Sequence, residues 1–227
     1  MRLNAFLARS GISSRRGADK LIKAGSVRLN GRIAQLNDRV GETDKVEVDG
    51  KPIGAQQGKY ILLHKPIRTI SSLKDPDGRQ KVTDLIKISE RIVPVGRLDY
   101  MTSGLLILTN DGELAHKLMH PSSNIEKTYR LETKEPFPEE DISKLERGIE
   151  LEDGITAPAK AKRVGPKSVE ITIHQGRNRQ VRRMVQALGL KLVNLERTKY
   201  AFLNLEGLKP GEWRNLSDQE VESLKNL

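Results

Sequence analysis

The chain has 227 residues, with 40 Lys or Arg against 30 Asp or Glu and a formal net charge of +10 at pH 7. That length suits one large domain, or a small domain joined to a medium one. With no cysteine there is no disulfide scaffold, no cysteine-based zinc site and no thiol nucleophile, and with no apolar run longer than four residues there is neither a membrane-spanning helix nor a secretory core.

The first segment reads as a small helical module. Leu3, Phe6 and Leu7 share a helical face that breaks at Ser10-Gly11, and Ser13 or Ser14 caps a second helix ending at Gly25. On that helix Ala18, Leu21 and Ile22 face inward, while Arg16, Lys20 and Lys23 line up on the opposite side as a basic ridge. Val27 and Leu29 then lead through Asn30-Gly31 to Arg32-Ile33, the pattern of a tight hairpin whose two central residues take positive φ. Val46 and Val48, ending at Asp49-Gly50, predict another short strand, and Gly54–Gly58, which lacks large apolar residues, predicts a linker. It is not a P-loop, because the glycines are separated by three residues and Lys59 precedes Tyr60.

From Tyr60 onward the pattern mixes strands and helices. Ile61–Leu63 predicts a buried strand stopped by His64-Lys65-Pro66, and Leu105–Leu108 predicts another. Asn110 with Glu113 predicts a capping box opening a helix that carries Leu114, Leu118 and Met119 and stops before Pro121. Val169, Ile171 and Ile173 alternate as a strand, and Val181, Met184, Val185 and Leu188 form a helical stripe closed by Gly189. On that last helix Arg182 lies about 100° from Val181, at the margin of the stripe, and Arg183 about 200° away, facing out.

Charge is concentrated at two places. Residues 1–60 carry 12 basic and 6 acidic residues, and residues 174–200 carry seven basic residues against Glu196 alone. A solvated helix face accounts for one basic cluster. Two clusters around a balanced middle point to a polyanion held at two places. The close carboxylates of 139–141 and 150–153 sit in helix-start and turn contexts, and His116 and His120 have Lys117 rather than Glu between them, so no metal site is expected.

Several strings carry a family resemblance. Residues 2–48, with Leu3, Ser14-Arg15-Arg16, Ile22, Gly25, Val27, Asn30-Gly31 and Val46, resemble the S4 RNA-binding domain. The stretch 96–112, Gly-Arg-Leu-Asp-Tyr-Met-Thr-Ser-Gly-Leu-Leu-Ile-Leu-Thr-Asn-Asp-Gly, resembles the signature of pseudouridine synthases of the RsuA/RluB family. Taken alone, Asp99 would be a turn former and Tyr129, in Lys127-Thr128-Tyr129, a core aromatic. The resemblance makes Asp99 the catalytic carboxylate, sets Tyr129 against the target base, and assigns Arg182, in Gly176–Met184, to pair with the carboxylate. Residues 117–121, 157–162 and 200–205 look most like the RluB-type branch, which acts on large-subunit ribosomal RNA. His64, Arg68 and Gln175 depart from the common pattern, where relatives carry Asn or Tyr, Gly, and Glu.

The expectation is an α+β protein. Residues 1–58 form a small S4-like α/β RNA-binding module including the linker, and residues 59–227 form a catalytic domain on a mixed, mostly antiparallel sheet with flanking helices. The expected activity is isomerisation of a specific uridine to pseudouridine in ribosomal RNA of the large subunit. The alternatives are small-subunit RNA as substrate, or a non-catalytic S4-type assembly factor. Arg2, Arg15, Arg16, Lys20, Lys23, Arg97, Arg177 and Arg179 are the expected RNA contacts. The partner is ribosomal RNA or a pre-ribosomal particle, with no cofactor, metal or membrane, and the protein is expected to be a cytoplasmic monomer.

Overall fold

The computed structural model describes residues 1–54 and 56–227; Ala55, within the predicted linker, lies outside the described residues. The N-terminal part places α1 (Leu3–Arg9) and α2 (Arg15–Lys23) against a four-stranded sheet of order β2-β1-β3-β4, formed by β1 (Val27–Leu29), β2 (Arg32–Ile33), β3 (Val46–Val48) and β4 (Lys51–Ile53). Ser14 caps α2 by accepting from Gly17 N at 3.1 Å. Asn30 and Gly31 take φ of 51° and 82° in the predicted hairpin. Leu3, Leu7, Ala18, Ile22, Val27, Leu29, Val46 and Val48 form one core, and Arg16, Lys20 and Lys23 stay exposed on the other side of α2.

The remaining strands build one nine-stranded sheet. They are β5 (Tyr60–Lys65), β6 (Val93–Pro94), β7 (Ser103–Thr109), β8 (Lys127–Thr133), β9 (Lys160–Gly165), β10 (Ser168–Ile173), β11 (Leu192–Tyr200), β12 (Leu203–Asn204) and β13 (Trp213–Asn215). The order is β13-β5-β7-β11-β8-β10-β9, with β12 pairing β11 and β6 pairing β7. Only β7 and β11 pair in parallel; every other described pairing in this sheet is antiparallel. The fold is therefore the expected α+β class with a mixed sheet.

β7 is buried along its whole length because both faces of the sheet are covered there. Leu105 and Ile107 pack with Leu114 and Leu118 of α3 (Gly112–Met119) and with Val221 and Leu224 of α6 (Asp218–Lys225). Leu106 and Leu108, pointing the other way, pack with Ile61, Leu63, Val82, Ile86 and Leu98. Further along the sheet, α4 (Glu139–Arg147) and α5 (Gln180–Ala187) cover Leu131, Val169, Ile171 and Ile173.

Three local expectations are corrected. The N-cap of α3 is Asp111, which accepts from Glu113 N and Leu114 N, both at 3.1 Å. Asn110 instead accepts from Lys59 N at 2.8 Å and donates to Gln57 O at 3.0 Å, so tertiary bonds from the preceding segment outcompete the local cap. β5 does not stop at His64 but runs through Lys65, because the antiparallel partner β7 continues to Gly104 opposite it. Arg183 does not extend into solvent; its guanidinium folds onto Asp153, with bonds of 2.8 and 2.9 Å.

Candidate active site

Asp99 lies in the loop that enters β7, and the backbone of this loop is fastened from several directions. Ser71 Oγ accepts from Leu98 N at 3.1 Å and donates to Leu98 O at 3.0 Å. Arg68 N donates to Tyr100 O at 2.7 Å, and Thr102 N donates to Asp99 O at 3.0 Å. From beneath, the fully buried Lys65 donates to Thr102 O at 2.8 Å and Pro66 O at 2.9 Å. From the side, Arg182 Nη2 donates to Met101 O at 2.6 Å and Thr102 Oγ1 at 2.9 Å. A loop tied at nearly every residue presents its carboxylate at a fixed place, which is what a reacting group requires.

The Asp99 side chain is one-third exposed, and its Oδ2 stands 3.3 Å from Arg182 Nε. This is an ion pair off the line of a good hydrogen bond, and Nε has no hydrogen-bond partner among the described residues. Burial lowers the pKa of the Arg182 guanidinium and the Asp99 charge opposes that shift; the group stays cationic because an arginine starts so far above neutrality. Tyr129 of β8 is half-buried, opposite Ile171 on one neighbouring strand and Arg197 on the other. Asp99, Tyr129 and Arg182 line one cleft together with Leu98, Thr102 and Gln180, so the three expected catalytic residues are brought together.

The expected RNA contacts separate into three groups. Arg97 and Arg179 are exposed at the cleft, and Arg179 takes φ of 47° at the start of α5. Arg177 also lines the cleft, but its guanidinium donates to Asp153 O, Gly154 O and Ile155 O at 3.2, 2.8 and 2.8 Å, which makes it a tie for that loop. Arg2, Arg15, Arg16, Lys20 and Lys23 are exposed on the N-terminal module and do not line the cleft. The cleft adjoins a groove of about 1330 Å³ that reaches Ser14, the cap of α2. A groove of that size exceeds a small-molecule pocket and suits a length of polymer.

Sequence reasoning missed the cations under the floor. Lys127 donates to Ile125 O and His174 O, both at 2.9 Å. Arg197 is buried, donates through Nε to Leu105 O at 2.8 Å, and lies 5.2 Å from the centre of the Tyr200 ring. Lys65 ends an apolar strand, where a basic residue after Ile61–Leu63 was the available signal; Arg197 stands in the polar stretch Glu196–Lys199 of β11, where its inward position has no signal in the sequence. Burial pushes the Lys127 amine down to about 8, helped by the Arg197 charge. Burial likewise pushes Lys65 down to about 8, with Asp99 pulling upward and Arg182 and Arg197 adding to the fall.

The lowered Lys65 pKa has a consequence for stability. Between about pH 8 and the ordinary lysine value of 10.5 the unfolded chain holds a proton that the folded chain has released. The penalty for burying the charge is therefore full below about pH 8 and is relieved as pH rises through that window. Thermal unfolding of the wild type and of Lys65→Met, followed from pH 7 to 10.5, should show the wild type gaining on the variant by several °C above pH 8. A constant or shrinking difference would mean that Lys65 keeps its proton.

Among the described residues no group of three or more His, Asp or Glu is placed to hold a metal ion. His116 and His120 lie 5.5 Å apart as tilted rings, and His120 Nδ1 is 2.7 Å from Ser122 Oγ. No described helix is long and apolar enough to cross a membrane.

Residues 59–187 match the family described as RNA pseudouridylate synthase, and residues 1–46 match the S4 domain. The chain is 49% identical to ribosomal large subunit pseudouridine synthase B of Bacillus subtilis, over all of this chain and 96% of that one. It is 37% identical to the dual-specificity RNA pseudouridine synthase RluF of Escherichia coli K12, over all of this chain and 79% of the relative. A crystal structure described as a pseudouridylate synthase superimposes with a TM-score of 0.72 at 32% identity, over 99% of each chain.

Proposed function

Because the chain belongs to the RNA pseudouridylate synthase family, within its RsuA/RluB branch, we propose that it converts a specific uridine of large-subunit ribosomal RNA to pseudouridine, with Asp99 as the catalytic carboxylate. The observation that carries this reading is the convergence of Asp99, Arg182 and Tyr129 on one cleft, with Asp99 Oδ2 and Arg182 Nε 3.3 Å apart. The large-subunit assignment rests on the likeness to the Bacillus subtilis enzyme over the whole chain.

The reaction breaks the C1′–N1 bond of the nucleotide, turns the uracil and joins C1′ to C5, while the C5 hydrogen leaves as a proton and N1 gains one. Atoms and electrons balance within the substrate and water, so the chemistry requires no external oxidant, reductant or group donor. A carboxylate serves either opening step, by attacking C1′ or by taking a proton from the sugar. Both require an ionised group in a site from which RNA excludes water, and a lone charge there is costly unless a cation stands beside it. Arg182 supplies that cation. The base must leave its stack to reach Asp99, and the Tyr129 ring in the cleft recovers part of the lost stacking.

The two parts of the chain divide the work in this reading. Residues 1–58 grip the RNA through the exposed ridge of α2, and residues 59–227 perform the chemistry, the protein acting as a cytoplasmic monomer without a cofactor. Changing Arg16, Lys20 and Lys23 together to Gln should weaken RNA binding and reduce the slope of log affinity against log salt by about two to three, one phosphate per side chain. An unchanged slope would mean that the ridge faces solvent in the complex. The function itself is tested by mapping pseudouridines in both ribosomal RNAs with and without the protein. A site that vanishes from the large-subunit RNA supports the proposal, a site lost from the small-subunit RNA moves the substrate, and an unchanged map favours an assembly factor.

A further inference from the structure

Residues 100 and 101 follow Asp99 directly, yet their side chains do not line the cleft. Tyr100, Met101 and Ile67 are 39, 46 and 45% exposed. Their segments are neighbours, since Arg68 N donates to Tyr100 O at 2.7 Å and so sets residues 67–68 beside the loop that carries Asp99. One exposed large apolar residue is ordinary; three together beside the reacting carboxylate mark a surface kept free for contact.

The ring of Tyr100 is also held in place. The Arg79 guanidinium lies 6.0 Å from its centre. Arg79 is fixed in turn by Asp75, with bonds of 2.6 and 3.1 Å, and by Asp77 at 2.9 Å. An aromatic ring with a cation near it is pre-positioned and loses little freedom when a second flat group lies against it. The charge of Arg79 is matched by Asp75 and Asp77, but Arg68 and Arg97, on the two segments that carry this patch, are exposed and available to a phosphate backbone.

Extruding a uridine leaves the neighbouring bases without a stacking partner on one side. We propose that Tyr100, supported by Met101 and Ile67, is the stacking platform for the base adjoining the extruded uridine, with Arg68 and Arg97 facing its phosphates. The inference rests on the reading that the chain acts on large-subunit ribosomal RNA, and it adds residues outside the cleft to that reading. Alternating flat apolar and cationic groups are what a splayed RNA strand offers partners for, since every base has a face to stack and every nucleotide a charge to neutralise. The rim thereby selects substrates in which the nucleotide beside the target is free to unpair.

The test uses full-length protein and an in vitro transcript of large-subunit ribosomal RNA labelled with tritium at uridine C5, which is released to water on isomerisation. Tyr100→Ala should raise KM, and the dissociation constant for the transcript, about tenfold, with a smaller change in kcat. Tyr100→Phe should restore both, because the ring and not the hydroxyl does the stacking. Thermal unfolding of the two variants shows whether each is folded. A KM and a dissociation constant for folded Tyr100→Ala within twofold of wild type would overturn the proposal and leave the patch to a protein partner. Equal losses in Tyr100→Phe and Tyr100→Ala would overturn it too. If the wild type releases no tritium, the substrate assignment fails, while the dissociation constants still decide the role of the rim.

Discussion

Asp99→Asn is expected to release tritium from C5-labelled ribosomal RNA roughly 10²- to 10⁴-fold more slowly than the wild type, or not at all, the range lost when a positioned group of this kind is removed. The substitution keeps the size of the side chain, and the loop that carries it is fastened by Ser71, Arg68, Thr102, Lys65 and Arg182 through contacts that do not involve the carboxylate. Geometry should therefore survive while the charge disappears. A carboxamide neither attacks C1′ nor accepts a proton from the sugar, so both opening steps fail. RNA affinity should stay within a few-fold of wild type, or improve slightly, because a negative charge has been removed from a surface that meets phosphates. Turnover near the wild-type rate would refute Asp99 as the reacting group. A joint loss of turnover and affinity would point to a disturbed loop, which thermal unfolding would expose.

The same loop shows how far the sequence was legible. Local signals were read well where the chain decides its own geometry: Asn30-Gly31 had to turn with positive φ, Ser14 had a backbone N–H to cap, and the spacing of Arg16, Lys20 and Lys23 placed them opposite Ala18 and Ile22. Signals failed where a distant segment competed. Asn110 had the pattern of a cap but is taken by the backbone of Gln57 and Lys59, and Arg183 had the helical angle of a solvent-facing residue but finds Asp153 across a loop. Asp99, Tyr129 and Arg182 came from family resemblance, because nothing in their spacing puts them together. Their meeting depends on strand order, in which β11 lies between β7 and β8, and on α5 approaching the loop that carries Asp99. Lys65 was hidden for a related reason. It lies at the end of a strand where local pattern predicts a stop, and its role is visible only once Gly104 and Thr102 are seen beside it.

Gly104 is where strand order depends on one missing methyl group, and its replacement should produce the largest loss of stability. It pairs with Arg197 in the short parallel register that joins β7 to β11, and so links the strand following Asp99, through β11, to β8, which carries Tyr129. Its φ is 116°, a conformation that residues with a Cβ rarely adopt. A Cβ there would collide with the backbone N and O of Arg197 and lie 2.8 Å from its carbonyl carbon. Neither obstacle can swing aside, since Arg197 is buried and bonded to Leu105 O. Backbone strain of about 1–3 kcal/mol combined with overpacking of about 1–3 kcal/mol gives Gly104→Ala a cost of about 4 kcal/mol, or a thermal midpoint roughly 8–16 °C lower in a chain of this size. Gly112→Ala is the matched control, because a Cβ at the start of α3 meets nothing within 4 Å, and its midpoint should stay level or rise. Relief by separating β7 from β11 would move Asp99 away from Tyr129, so any folded Gly104→Ala protein should lose turnover out of proportion to its lost stability. If Gly104→Ala unfolds within 2 °C of Gly112→Ala, the close approach of β7 and β11 is not what holds the two halves of the site in register.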